Sequence, residues 1–343
     1  MDTSRRGTAA RALAPAPCRV LSLPRDPPPP PPTMIPRAAA GVTRVGWIGT
    51  GVMGAHMARH IYGAGYTSLT VYNRTAAKAQ PLVDAGATLA ASPAAVAAAS
   101  DVVFTMVGYP TDVRAVIGGP DGVLSTLRPG GVVVDLTTSE PALAAELAAD
   151  ASARGCHVLD APVTGGDVGA RKGTLSVMVG GDADAAAAVR PLLDCFAATV
   201  TYFGAAGTGQ HCKMANQVTI ASSMLGMCEG LLYAHKAGLD LEAYLGAIRG
   251  GGAGSFSIES YAPRVLGRDM APGFYVRHFV KDLGIALGEC QRLNIALPGL
   301  ALAQQLYVSL CAVGEGDLGT QALIKSLERL NGTELPKVEV TKW

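Results

Sequence analysis

The segment Gly49-Thr50-Gly51-Val52-Met53-Gly54 constrains this chain more than any other. It comes directly after the apolar run Val45-Gly46-Trp47-Ile48, and residues 55–62 behind it have a helical pattern closed by Gly63 and Gly65. Glycines at this spacing, between a buried strand and a helix, have separate physical tasks. Gly49 permits the tight turn, Gly51 lets the backbone approach a pyrophosphate, and Gly54 lets the helix pack on the strand. The amides at the helix N-terminus then face the phosphates. A chain with 42 glycines can meet this pattern by chance, so the glycine loop gains its weight from the strands and helices around it.

The next strand, Leu69-Thr70-Val71-Tyr72, ends at Asn73-Arg74-Thr75, where a dinucleotide-binding fold places the residue that reads the adenosine ribose. An acid there accepts the 2′-hydroxyl of NAD and repels the 2′-phosphate of NADP. Arg74 instead offers paired, charge-assisted hydrogen bonds to a phosphate. The expectation is NADP(H) preferred, with NAD(H) possible. Residues 101–107 and 131–136 read as further strands, and Ala-rich segments 77–85, 93–99 and 141–154 read as helices between them. Such alternation predicts an α/β fold with an N-terminal doubly wound (Rossmann) parallel sheet, whose ligands lie beyond the carboxyl ends of the strands. The loops at 108–112 and Thr137-Thr138-Ser139 are then the walls of the cofactor site. Its candidate contacts are Gly49, Thr50, Gly51, Val52, Met53, Gly54, Asn73, Arg74, Thr75, Val107, Gly108 and Thr138.

Residues 210–236 read as one long helix closed by Gly238, suited to leave the first domain and run through a second. Helical patterns continue at 241–248, 258–267, 279–293, 300–314 and 321–330. The predicted organisation is a leader (1–41), a dinucleotide-binding domain (42–206), an all-helical C-terminal domain (207–331) and a tail (332–343).

Asp160-Ala161-Pro162-Val163-Thr164-Gly165-Gly166 resembles the D-x-P-V-S-G-G substrate signature of the β-hydroxyacid dehydrogenase family, with Thr164 keeping the hydroxyl of the serine. Gly207-Thr208-Gly209-Gln210-His211-Cys212-Lys213-Met214-Ala215-Asn216-Gln217 resembles the family's catalytic motif, and Lys281-Asp282-Leu283 its K-D-L segment. The resemblance covers about residues 42–330, and the wording of the motifs is similar to the 3-hydroxyisobutyrate dehydrogenase-like branch of plants and green algae. It implies hydride exchange between nicotinamide and a small β-hydroxyacid or its semialdehyde, with Lys213 as general acid and base. It also implies that Thr164, Gly165 and Gly166 hold the substrate carboxylate, that Asn216 and Gln217 orient it, and that Ser255, beyond the glycine turn at 250–254, contacts substrate. Thr138 and Lys281 fall to the nicotinamide half of the cofactor.

A free lysine, with a pKa near ~10.4, is a poor base at neutral pH. Burial and the positive charge of Lys281 would bring Lys213 down. His211 reads as a bystander. The implied pair is 3-hydroxyisobutyrate and methylmalonate semialdehyde; the alternative is an NADPH-dependent glyoxylate or succinic semialdehyde reductase. A non-catalytic cofactor-binding scaffold is a remote third reading, disfavoured by Lys213. Many family members carry Asn four residues after the lysine, whereas this chain has Gln217 there and Asn216 one step earlier. That departure bears on the substrate more than on the reaction. The family's helical domain implies a homo-dimer or homo-tetramer.

Composition narrows the remaining classes. A formal charge of +1 argues against nucleic acid or an anionic membrane as partner. Seven scattered cysteines without a CxxC predict neither a disulfide framework nor a metal site. No uninterrupted apolar run reaches the ~18 residues that span a bilayer. Residues 1–40 stand apart, with six arginines, two acids, no lysine and the run Pro27-Pro28-Pro29-Pro30-Pro31-Pro32. The segment reads as a mitochondrial targeting leader, a disordered extension of a cytoplasmic protein, or sequence upstream of a start at Met34.

Overall fold

Strands that are apolar on both faces need a cover on each, and this requirement organises the first half of the chain. The computed structural model describes residues 35–338. The candidate leader through Met34, with Cys18 and the proline run, and tail residues 339–343 lie outside the described residues. The described residues belong to one unit.

One sheet of nine strands comprises β1 (Val45–Ile48), β2 (Leu69–Tyr72), β3 (Thr88–Leu89), β4 (Val102–Thr105), β5 (Val132–Asp135), β6 (His157–Asp160), β7 (Val163–Thr164), β8 (Leu175–Gly180) and β9 (Ala197–Gly204). Their order is β3-β2-β1-β4-β5-β6-β8-β7, with β9 also on β8. Pairings from β3 to β6 are parallel, as is β8 with β9; β8 runs antiparallel to β6 and β7. Helices of this half are α1 (Gly54–Gly63), α2 (Gln80–Val83), α3 (Pro93–Ala98), α4 (Pro110–Gly118), α5 (Pro141–Ser152), α6 (Gly166–Lys172) and α7 (Ala183–Leu193).

Alternation along the strands divides their side chains between two layers. Val45, Trp47, Val102, Phe104, Val132 and Val134 join one core, while Ile48, Val103 and Val133 join the other. Trp47 stacks on Phe104 at 5.2 Å, and Phe196 meets both rings edge-on. A third core is helical, built on α8 (Thr208–Lys236), α9 (Leu241–Ile248), α10 (Ala262–Leu266), α11 (Val276–Leu293), α12 (Pro298–Ala312) and α13 (Leu323–Leu330). Met224, Cys228, Leu231, Phe279 and Tyr307 are at its centre.

The sheet and the helical half are joined at the start of α8. Asp160, the last residue of β6, accepts hydrogen bonds from Gly207 N at 2.7 Å and Gln210 N at 2.8 Å. Gln210 is itself fully buried: its Oε1 accepts from Ser139 N at 3.0 Å, and its Nε2 donates to Thr137 O at 2.7 Å. Helix and strand approach closely here, since a Cβ on Gly209 would stand 2.3 Å from Met178 O.

Several elements differ from the sequence expectation. Residue 108–112 is not a continuous loop, because Pro110 takes the first position of α4, where its missing N–H costs nothing and Asp112 favours the first turn. The helix expected at 77–85 is a 3₁₀ turn, Ala76–Ala79, then the short α2. Helix 258–267 divides into a π-helical turn, Ser257–Tyr261, and α10. Residues 167–206 carry no element expected from sequence and contain most of α6, then β8, α7 and β9. Both expected ends are partly incorporated: Ala38 is buried and donates to Ala188 O, and Leu335 is buried in the helical core.

Replacing Asp160 by Ala would strand two buried backbone donors at the start of α8. The expected cost is about 2–4 kcal/mol, read as a lower urea midpoint at an unchanged m-value. A loss below about 0.5 kcal/mol would show that the junction does not depend on this carboxylate.

Candidate active site

The carboxyl ends of β1, β2, β4 and β5 open together, with the strand order reversing between β1 and β4, the place where doubly wound sheets bind ligands. The glycine loop leaves the end of β1. Gly49 has φ +96°, and a Cβ there would stand 2.1 Å from Met106 O. At Gly54 a Cβ would stand 2.0 Å from Gly49 O, whereas Gly51 has open space on its outer side. Thr50 is buried; its N–H donates to Asn73 Oδ1 at 2.9 Å, and Asn73 Nδ2 donates to Thr75 O at 2.9 Å. Asn73 therefore braces the glycine turn through its Oδ1 while its Nδ2 ties down its own loop after β2, a task that the sequence pattern does not reveal. Val52 is exposed, while Met53 packs against the core at the start of α1. Val107 N donates to Thr137 Oγ1 at 3.0 Å, and Gly108 leads from it toward α4. A turn that only glycine can make, an uncovered Gly51 and a helix N-terminus behind it fit a nicotinamide dinucleotide.

Arg74 extends into solvent, its side chain 87% exposed, with Nη1 3.5 Å from Asp112 Oδ1. Thr75 is exposed beside it.

One turn beyond Gln210 on the same face of α8, Lys213 is buried. Its pKa falls to about 8: burial lowers it most, the Asp282 carboxylate pulls it back up, and the charge of Lys281 pushes it down again. Asp282 is buried on α11 and accepts from Gln217 Nε2 at 2.5 Å. Its other oxygen lies 3.0 Å from Lys281 Nζ, which donates to Thr138 O at 2.6 Å. Gln217 Oε1 accepts from Asn216 Nδ2 at 2.8 Å. The chain of contacts Asn216–Gln217–Asp282–Lys281–Thr138 thus links α8, α11 and the loop after β5. It gathers five residues that the sequence presents only as separate motifs. The Gln217 carboxamide is thus engaged at both ends.

Thr164 ends β7, and Gly165 and Gly166 come next with φ of +125° and +63° at the start of α6. Asp167, next in the chain, lies beside Gly273 on the approach to α11. Ser255 Oγ accepts from Ile258 N at 3.2 Å and so caps the π-helical turn. A cavity of about 290 Å³ lies at Lys281, lined also by Pro110, Glu140, Gly284, Ile285 and Gly288.

Sequence reasoning assigns no individual role to Asp135, Asp160, Gln210 or Asp282, and places Asp112 only at the end of a loop walling the cofactor site. Asp135 accepts from Thr105 Oγ1 at 2.7 Å and from Thr137 N at 3.1 Å, and burial raises its pKa to about 6. Burial also raises the Asp160 carboxyl, against the pull of the Gly207 and Gln210 amides. Asp135 and Asp160 each close an apolar strand at its ligand-facing end, a signal that the sequence does carry. Among the described residues, no group of three or more His, Cys, Asp or Glu side chains is placed to hold a metal ion. No helix there is long and apolar enough to cross a membrane.

The sequence matches two family profiles in tandem. Residues 44–204 match the NAD binding domain of 6-phosphogluconate dehydrogenase, and residues 207–327 match the NAD-binding domain of NADP-dependent 3-hydroxyisobutyrate dehydrogenase. A probable 3-hydroxyisobutyrate dehydrogenase-like protein of Arabidopsis thaliana, named as mitochondrial, is 60% identical over 85% of this chain and 87% of its own length. The 2-hydroxy-3-oxopropionate reductase of Escherichia coli is 36% identical over 85% of this chain and 99% of its own. In three dimensions, the 3-hydroxyisobutyrate dehydrogenase of Mycobacterium tuberculosis, solved with L-serine, superposes with a TM-score of 0.76 at 30% identity. It spans 83% of this chain and 99% of that one. Likeness at this level runs through both the glycine-loop half and the helical half, and it shows that the chain belongs to the β-hydroxyacid dehydrogenase family, as an NAD(P)-dependent oxidoreductase acting on CH–OH groups.

Proposed function

We propose that the protein interconverts 3-hydroxyisobutyrate and methylmalonate semialdehyde with NADP(H), using Lys213 as the proton-transfer residue. The observation that carries this reading is a buried lysine with a pKa near 8, one turn from the junction that fixes α8. Bound nicotinamide supplies hydride in the reductive direction and takes it up in the oxidative one. Lys213 Nζ gives its proton to the substrate oxygen during reduction, and in its neutral form takes the hydroxyl proton during oxidation. The hydroxyl of Thr164 and the backbone at Gly165 and Gly166 hold the substrate carboxylate; successive glycines at positive φ suit an anion-binding turn. Asn216 and Gln217 orient the substrate, with Gln217 fixed from behind by Asp282. Ser255 contacts substrate from the far side while capping its own turn. Lys281, anchored on Thr138, lines the nicotinamide end.

In this reading residues 42–206 act as the cofactor domain and 207–331 as the substrate and assembly domain. Exposed apolar side chains of the helical half, among them Tyr233, Leu239, Phe256 and Leu302, support a homo-dimer or homo-tetramer. The mitochondrial name of the Arabidopsis relative supports that compartment over the cytoplasm. Arg74 supports NADP(H) over NAD(H), and it equally favours the second reading, an NADPH-dependent glyoxylate or succinic semialdehyde reductase. Steady-state rates with 3-hydroxyisobutyrate, glyoxylate and succinic semialdehyde separate the two readings. A clear preference for either aldehyde over the hydroxyacid pair would replace the first reading with the second.

Lys213→Ala is expected to lower turnover by about 100- to 10,000-fold while NADPH binding, measured by calorimetry, stays intact. Turnover within tenfold of the parent would remove Lys213 from proton transfer. The pH dependence has a definite sign in each direction. Oxidation requires neutral Lys213 and should rise as pH passes upward through about 8, whereas reduction requires the protonated form and should fall over the same interval. Arg74→Ala should reduce the preference for NADPH over NADH in kcat/KM by at least about tenfold. An unchanged preference would show that the 2′-phosphate is read elsewhere.

A further inference from the structure

Arg74 and Asp112 lie in different βα units, yet their side chains meet. β2 and β4 flank β1 in the sheet, so the residues just beyond their carboxyl ends stand on either side of the glycine loop. The two partners differ in freedom. Asp112 is held in the first turn of α4, where its Oδ2 accepts from Tyr109 N at 3.2 Å, and its side chain is 29% exposed. The Arg74 side chain is 87% exposed, and Asp112 is its one ion-pair partner among the described residues. A held carboxylate thus stands within ion-pair distance of an exposed guanidinium.

The chemistry of the two cofactors makes this carboxylate consequential. NAD(H) presents a ribose hydroxyl that a carboxylate can accept, which is why an NAD site usually places an acid after β2. This chain has none there, and the tertiary structure brings one to the neighbourhood of Arg74 from the start of α4 instead. A 2′-phosphate carries nearly two negative charges at neutral pH, so a carboxylate beside its binding group opposes it.

We propose that Asp112 is a specificity-determining residue for the cofactor: its carboxylate holds Arg74 and stands against the 2′-phosphate, which narrows the preference for NADP(H) and keeps NAD(H) usable. The inference rests on the reading of Arg74 as the phosphate ligand. Arg74 is restrained and not consumed, because an exposed pair at this distance is weak and a guanidinium keeps further donors for a phosphate.

The test is equilibrium titration of NADPH and NADH into the full chain and into Asp112→Asn, Arg74→Ala and the double variant. Asn keeps an acceptor for Tyr109 N, so the start of α4 is preserved. Asp112→Ser removes the charge with a different side chain, and thermal unfolding verifies that each variant is folded. The Kd for NADH divided by that for NADPH should rise about two- to fivefold in Asp112→Asn, and the gain should shrink as salt is added. It should be smaller in the Arg74→Ala background. Two results overturn the inference in distinguishable ways. A ratio that is unchanged or lower in Asp112→Asn and Asp112→Ser, with Arg74→Ala still lowering it, removes Asp112 and leaves the Arg74 reading standing. A ratio untouched by Arg74→Ala removes that reading and the inference with it.

Discussion

The carboxylate of Asp160 is turned onto the first amides of α8, and the geometry around Lys213 depends on that contact. A long helix leaving a sheet needs partners for its unpaired N-terminal N–H groups, and its dipole places partial positive charge among them. Asp160 answers both needs from the end of β6. Gln210 then extends the junction sideways, tying the loop after β5 to the same turn through Thr137 and Ser139. Two strand ends are thereby locked to the first turn of one helix. Lys213 follows three residues further along on the same helix and is buried.

Beyond this junction the region is a balance of buried charge. Two lysines and one carboxylate share a volume from which water is largely excluded. Asp282 cannot fully offset both cations, and burial penalises the charged form of Lys213, so its pKa settles near 8, below that of a free lysine. Buried polar groups in such a network depend on mutual satisfaction. Gln217 therefore has a structural task beside any role toward substrate, since it bridges Asn216 and Asp282.

Legibility in the sequence tracks the range of the interactions that make each feature. β1, α1, β2 and the glycine loop are readable because their determinants lie within a few residues. The pattern predicts a helix over 210–236, and α8 spans Thr208–Lys236, long enough for the signal to survive local irregularity. Residues 167–206 are not readable as elements. β9 is largely exposed, and β8, though buried, mixes antiparallel pairing to β6 and β7 with parallel pairing to β9, so the segment lacks the regular strand-helix alternation around β4 and β5. α4 escapes the sequence because Tyr109-Pro110 reads as a loop until its place at a helix start is seen.

The sequence by itself determined the fold class, the glycine loop with its helix, and the lysine around which the chemistry is proposed. The fold class and the glycine loop are written in local patterns of polarity, glycine and proline that act through backbone sterics and burial, whereas Lys213 stands out only through the likeness of its motif to the family's. Only the tertiary structure decided what those residues touch. Gln217 finds Asp282 across 65 residues, Ser139 finds Gln210 across 71, and Lys281 finds Thr138 across 143. Arg74 meets Asp112 because two parallel strands flank a third. Charge, hydrogen bonding and pKa depend on distance through space, and a linear sequence does not contain that distance until packing sets it.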